Sequence, residues 1–335
     1  MCFEKSKWLL LIAIAAAIVI VTALIAERKK KDSFAVNTNT MSKGFEWKAP
    51  DTNQIAVAEN GQLIRYGREL IAHTSFYLGP KGSIAATTNG MNCQNCHLEA
   101  GTKPWGNNYS AVFATYPRFR ERSGTIENIY KRVNDCIERS LNGKAIDTNS
   151  REMQAISSYI QWLGSGVPRG TTPAAAGIKT IPFLKRAADP TRGKMVYWQN
   201  CQRCHGPEGK GLLNTDSTMY IYPPLWGDNS YNTGAGLYRI SRLAGYVKEN
   251  MPFDAPQKSR HLTDEEAWDV AAFINSQPRP GKEYKNDWPD IARKPFDHPF
   301  GPYIDSFSEQ QHKYGPYEPV RQLQEKMYSK QLNPY

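Results

Sequence analysis

The sequence predicts an all-α chain of two similar helical units in tandem, with an apolar helix before them and an extended tail after them. Three observations predict this. The pentad Cys93-Gln94-Asn95-Cys96-His97 recurs as Cys201-Gln202-Arg203-Cys204-His205. Around each pentad, apolar residues return at intervals of three and four, the period of a helix with one buried face. Between the units, Gly164 to Ile178 is rich in glycine, proline, alanine and threonine, the composition of a linker. A chain of 335 residues has room for two domains and further segments.

The pentad spacing has a chemical reason. Two thiols three positions apart on a helical turn can each add to one vinyl group of a haem. The histidine that follows then lies under the porphyrin and ligates the iron. A zinc ribbon would bring its cysteine pairs closer in sequence, and neither zinc nor dithiol redox chemistry accounts for a histidine directly after both pairs. Cys93, Cys96 and His97 are therefore predicted to carry one covalent haem c, and Cys201, Cys204 and His205 a second. Helix, haem pentad, loops and closing helix is the order of a class I cytochrome c domain. The fold class is thus two class I cytochrome c domains in tandem.

Residues 1–31 read as a signal anchor or a signal peptide. Trp8 to Ala26 is an unbroken apolar run of about 28 Å as a helix, close to one hydrocarbon core. Val21-Thr22-Ala23 offers small residues for cleavage. Arg28 to Lys31 carry more positive charge than Lys5 and Lys7, which by the positive-inside rule puts the body of the chain in the cytoplasm. Haem attachment demands the opposite, and a long translocated domain overrides flanking charge. Cys2 precedes the apolar run, where a lipoprotein signal would not place it. The expected address is the periplasmic side of the cytoplasmic membrane, anchored by this run, or the soluble periplasm after cleavage.

Residues 32–54 form a polar linker. The first domain, 55–165, opens with a helix carrying Leu63, Tyr66, Gly67, Leu70 and Ile71. It closes with one from about Asn149, with Ile156, Tyr159, Ile160 and Leu163 on one side. After a linker at 166–186, the second domain, 187–280, opens at Asp189-Pro190, a capping residue ahead of proline at the first helical position. Gly193, Val196 and Tyr197 follow. Its closing helix begins after Thr263-Asp264-Glu265-Glu266, a capping box, and turns Val270, Phe273 and Ile274 inward. The glycines of the opening helices let the closing helices cross at close range. Residues 281–335 are dense in proline and aromatics without a helix or strand period, and are expected to pack as an extended tail over both domains.

The net charge is +10 before haem propionates are counted. The basic residues are scattered, with no nucleic-acid motif or aromatic-basic stripe, which argues against nucleic acid. A basic surface suits an anionic substrate or an acidic redox partner. Only Cys2 and Cys136 lie outside the pentads, so no disulfide framework is implied.

Each iron takes a second axial ligand or keeps an open site. Met251, in Asn250-Met251-Pro252-Phe253, is placed as a thioether ligand, which raises a haem potential; the alternative is a core methionine. Met195 and Met219 are badly placed, and His261 is a weaker rival. The first domain has no methionine at the matching place: Met91 precedes the pentad and Met153 sits in the closing helix. Cys136 stands there instead, among Arg118, Arg120, Arg122, Lys131, Arg132 and Arg139. One reading is a small buried thiol beside a solvated basic face. The other is a thiolate ligand favoured by its cations, which form a cradle for a dianion. A thiolate lowers the first haem's potential below the second's, so electrons run from the first to the second.

At these residues the chain resembles the dihaem thiosulfate dehydrogenase family. The likeness covers most of residues 55 to 320. It is carried by both pentads, Tyr116-Pro117, Arg122-Ser123-Gly124, Asn134-Asp135-Cys136, Glu138-Arg139-Ser140 and Asn142-Gly143-Lys144. It continues through Pro223-Pro224-Leu225-Trp226-Gly227, Asn250-Met251-Pro252 and Gln311-His312-Lys313-Tyr314-Gly315-Pro316. The resemblance implies an active-site haem ligated by His97 and Cys136, an exit haem ligated by His205 and Met251, and substrate contacts at Arg122, Arg132 and Ser140. It implies oxidation of two thiosulfates to tetrathionate, in either direction, with an external electron acceptor such as a small cytochrome c. Some relatives carry a lysine beside the methionine as an exchangeable ligand; here Asn250 stands there. Relatives are typically soluble, from which an uncleaved Trp8–Ala26 would depart. Two other readings are a non-catalytic dihaem electron carrier and a dihaem peroxidase, the second opposed by Cys136.

Overall fold

The computed structural model describes residues 45–57, 60–253 and 262–332. Cys2, Trp8–Ala26, most of the predicted 32–54 linker and His261 lie outside them. Among the described residues no helix is long and apolar enough to cross a membrane.

The α-helices of six residues or more among the described residues are α1 Gly61–Ala72, α2 Ile129–Arg139, α3 Arg151–Gly164, α4 Pro190–Asn200, α5 Ile240–Asn250, α6 Asp264–Ser276, α7 Glu309–Tyr314 and α8 Glu318–Leu332. Two antiparallel hairpins interrupt the helical fold: β1 Arg118–Arg120 with β2 Thr125–Glu127, and β3 Leu212–Leu213 with β4 Tyr220–Tyr222. The all-α expectation is corrected to that extent. Strands of two or three residues are too short to show an alternating period.

The opening and closing helices pack in the same way twice. A Cβ on Gly67 of α1 would lie 2.0 Å from the Ala155 carbonyl oxygen and 2.9 Å from Tyr159 Cβ on α3. A Cβ on Gly193 of α4 would lie 1.8 Å from the Asp269 carbonyl oxygen and 2.9 Å from Phe273 Cβ on α6. Only glycine lets two helix backbones approach this closely. One apolar core forms under the first crossing, from Leu70, Ile71, Ile156, Tyr159, Ile160 and Leu163. Another forms under the second, from Val196, Tyr197, Trp268, Val270, Phe273 and Ile274. Each such side chain contributes about 2 kcal/mol relative to exposure.

The caps follow the sequence. Asp189 Oδ1 accepts from the Thr191 amide at 2.7 Å, ahead of Pro190. Thr263 and Glu266 close a reciprocal capping box on α6. The first closing helix is capped by Ser150, through Oγ and the Met153 amide, and starts at Arg151.

The tail is not extended throughout. Residues 284–303 are largely irregular, but α7 and α8 follow. Ser308 caps α7 by accepting from the Gln311 amide, and Pro319 falls in the first turn of α8, where no amide hydrogen bond is lost. Tyr317, Val320 and Gln324 are buried at a helical spacing. Proline density hides this period in the sequence. The tail reaches both pentad-bearing segments. Asp287 pairs with Arg139 at 2.7 Å, Asp297 pairs with Arg239 at 2.5 Å, and the Tyr314 carbonyl accepts from the Ala188 amide at 2.8 Å.

Candidate active site

The two pentads present matching histidines. His97 Nδ1 lies 2.5 Å from the Asn107 carbonyl oxygen, and His205 Nδ1 lies 2.8 Å from the Pro223 carbonyl oxygen. A carbonyl only accepts, so each Nδ1 carries the proton and each Nε2 keeps its lone pair for a metal. Burial lowers both histidine pKa values, that of His97 to about 4, which holds the rings neutral and able to ligate. The His97 ring stacks on Tyr109 with centroids 4.5 Å apart. With thiols at Cys93 and Cys96 and at Cys201 and Cys204 on the same turns, the residues fit two covalent haems.

Met251 caps the C-terminus of α5, its amide bonded to the Val247 carbonyl at 2.9 Å. It packs against the second core, as Cys201 does. Next to it, Asn250 is fully buried and donates to the carbonyls of Trp105 (3.1 Å) and Tyr246 (3.0 Å).

Cys136 is carried by α2, whose N-cap Asn128 accepts from the Lys131 amide. Arg132, Cys136 and Ser140 are four residues apart and so share one face of that helix end. The Ser140 amide bonds to the Cys136 carbonyl at 2.8 Å. A Cys136 charge raises the pKa of Arg132 more than any other cause, and also raises those of Cys93 and Cys96, which burial lifts first. The thiol, Arg132 and the first pentad therefore share one locality. Arg122 enters from the β1–β2 turn, donating Nη1 to the Gly234 carbonyl at 3.1 Å and lying over the Trp288 ring at 5.6 Å. Burial and Arg139 lower its pKa to about 10.

The other predicted cradle members are engaged elsewhere. Lys131 pairs with Asp135 at 2.7 Å, Arg120 with Glu127 at 3.8 Å, and Arg139 with Asp287. Arg118 is exposed on β1. Of the predicted set, Arg122 and Arg132 have no carboxylate within ion-pair distance among the described residues. Sequence reasoning missed two tail residues, Tyr284 and Trp288, which stack on Arg139 and Arg122. Only their aromatic character, in a segment too ordered for a linker, could have pointed to them.

A family model for the SoxA/TsdA cytochrome c domain matches residues 83–168, and one for cytochrome c matches residues 190–278. The thiosulfate dehydrogenase of Psychrobacter arcticus is 38% identical over 76% of this chain and 76% of its own. The chain belongs to the thiosulfate dehydrogenase family. The Allochromatium vinosum member of that family is 38% identical over 66% of this chain and 79% of its own. The solved thiosulfate dehydrogenase (TsdBA) of Marichromatium purpuratum superposes with a TM-score of 0.65 at 32% identity over 70% of this chain. This chain spans half of that one's length. As a member of the thiosulfate dehydrogenase family the protein is an oxidoreductase with two cytochrome c domains and two haem c groups.

Proposed function

We propose that the protein joins two thiosulfates into tetrathionate and passes two electrons to an external acceptor such as a small cytochrome c. The observation that carries this reading is the alignment of Arg132, Cys136 and Ser140 on one face of α2, beside the first pentad and Arg122. Two dianions repel, so fixed cations must bring them together. Arg122 and Arg132 supply forks for sulfonate oxygens, and Ser140 a hydroxyl donor.

The haems supply the one-electron acceptors. When the haems are bound, His97 and Cys136 would hold the iron of the first, and His205 and Met251 that of the second. In turnover the Cys136 thiolate bonds to the sulfane sulfur of one thiosulfate as two electrons leave. The sulfur of the second thiosulfate attacks that sulfane sulfur. A sulfur–sulfur bond forms, the bond to Cys136 breaks, and tetrathionate and thiolate are released. No proton is taken up or lost. The same steps run backwards as tetrathionate reduction.

We place the protein on the periplasmic side of the cytoplasmic membrane, held by Trp8–Ala26 where that run is retained and soluble where it is cleaved. Haem attachment supports the compartment.

Cys136→Met tests the assignment. Methionine can ligate iron but cannot hold a transferable sulfane sulfur. The first haem's potential should rise, tetrathionate formation should fall by orders of magnitude, and electron transfer between haems should persist. Parental thiosulfate oxidation in this variant would remove the enzymatic assignment and leave an electron carrier.

A further inference from the structure

Two neighbouring buried donors have no protein partner. Among the described residues the Arg122 guanidinium makes one hydrogen bond, from Nη1 to the Gly234 carbonyl at 3.1 Å, and its Nε is buried without one. Trp288 Nε1 is buried and unpartnered as well. The Arg122 guanidinium carbon lies over the Trp288 ring, 5.6 Å from its centroid. Nε is bonded to that carbon and Nε1 belongs to that ring, so the two donors are neighbours. Buried polar atoms in folded proteins are nearly always paired, and leaving a charged one unmet costs the most. Indole and guanidinium nitrogens only donate, so the group that satisfies both is an acceptor, and beside a fixed cation an anionic one.

The backbone fixes the pair in place. The Trp288 amide donates to the Arg122 carbonyl at 2.7 Å. Pro289 covers Gly124 in the β1–β2 turn, where a Cβ would lie 2.6 Å from the proline Cγ. Trp288 itself takes a φ of 61°, a left-handed conformation that bulky side chains rarely adopt and that tends to persist at functional sites. Asp287, the residue before it, is the one carboxylate among the main influences on Arg122, opposed by Arg139, Arg132 and Arg239. Both of its oxygens are already bonded to Arg139, on the helix that carries Cys136. The indole meets His298 edge-on at 5.7 Å, and burial keeps that ring neutral.

We propose that Trp288 is a substrate-binding residue: its indole N–H and the Nε of Arg122 together hold one sulfonate group of thiosulfate. The assignment rests on the reading of the protein as one that joins thiosulfates. A thiosulfate held by its oxygens keeps its sulfane sulfur free, and that is the atom the reaction joins. A haem propionate offers the same acceptor chemistry to the two donors, and the measurements below separate the two sources.

The test uses the full haem-loaded protein with Trp288→Phe, which keeps an aromatic face for Arg122 but removes the N–H, and Trp288→Ala, which removes both. Three quantities are measured: sulfate affinity of the oxidised protein by calorimetry, the KM for thiosulfate with ferricyanide as acceptor, and the potential of the first haem. Trp288→Phe should weaken sulfate binding and raise the KM about 10-fold or more, the usual weight of a hydrogen bond to a charged group. The first haem's potential should not move. Because both residues grip one ion, the losses in Arg122→Ala and Trp288→Phe should not add in the double variant. Placing 3-benzothienylalanine at position 288, an indole shape without the N–H, should repeat the result and decides the matter if Trp288→Phe does not fold. Parental affinity and KM in Trp288→Phe, with losses only in Trp288→Ala, would reduce the ring to a support for Arg122 and overturn the proposal. A shifted potential with parental sulfate affinity would assign the N–H to a propionate and overturn it too, as would additive losses or a parent protein that binds no sulfate. A parent that binds sulfate but does not oxidise thiosulfate would remove the proposed function, while the sulfate affinity of Trp288→Phe still decides whether Trp288 holds an oxyanion.

Discussion

Asp287 grips Arg139 with both carboxylate oxygens, at 2.7 and 2.8 Å, while the Tyr284 ring lies 3.6 Å from the guanidinium carbon. Arg139 is three residues past Cys136 and only 6% exposed. The tail thus clamps the helix that carries the candidate nucleophile. Asp287→Ala leaves this guanidinium buried, with only Asp135 at 4.0 Å for a carboxylate. Chemical denaturation should report a loss of about 3 kcal/mol, the low end for breaking a buried pair because Tyr284 and Asp135 remain. The double replacement Arg139→Met with Asp287→Ala should be more stable than Asp287→Ala alone. A single-variant loss below about 1 kcal/mol would class the pair with weak surface bridges.

Met251 sits at the end of α5, packed on the same core as Cys201. With Met251 as the proposed thioether donor to the second haem, Met251→Ala should lower that haem's potential and slow electron delivery to an external acceptor. Redox titration with both haems resolved is the measurement. An unchanged high-potential haem would send the search for the axial ligand elsewhere.

His298 provides a pH dependence. Burial, then Lys294, push its pKa down to about 3, with the Phe300 carbonyl opposing and Arg239 and Arg122 adding smaller pushes. The ring packs edge-on against Trp288 at 5.7 Å and Phe300 at 6.0 Å. The folded pKa lies below the unfolded value of about 6.5, so the unfolded chain binds the extra proton first. The stability from this group is present above about 6.5 and is lost as pH falls from there towards 3. Urea midpoints measured between pH 7 and 4 should fall less steeply in His298→Phe than in the parent. Equal slopes would mean that the imidazole titrates alike in both states.

Much of the helical frame was legible because local chemistry writes it. Asp189-Pro190 and Thr263 to Glu266 cap where their side chains can reach their own amides, and Gly67 and Gly193 stand at helix crossings that admit no Cβ. The tail helices were hidden because Pro319 reads as a breaker unless its place in the first turn is known. The pairing of the cations was only half legible. Proximity in sequence grouped Arg122 and Arg132 with Lys131 and Arg139, but the carboxylate that occupies Arg139 lies in the tail. Which cations stay unpaired is a property of tertiary contacts.

Helix α5 begins beside Arg239, touches the first pentad through Tyr246, ties Trp105 through Asn250 and ends at Met251. Its 11 residues make a rod of about 16 Å. Such a rod acts as a ruler between the first pentad and Met251. It also fixes rotation. One inserted residue would turn Met251 about 100° around the helix axis, so the direction in which this side chain leaves the helix is written into the length of a single element.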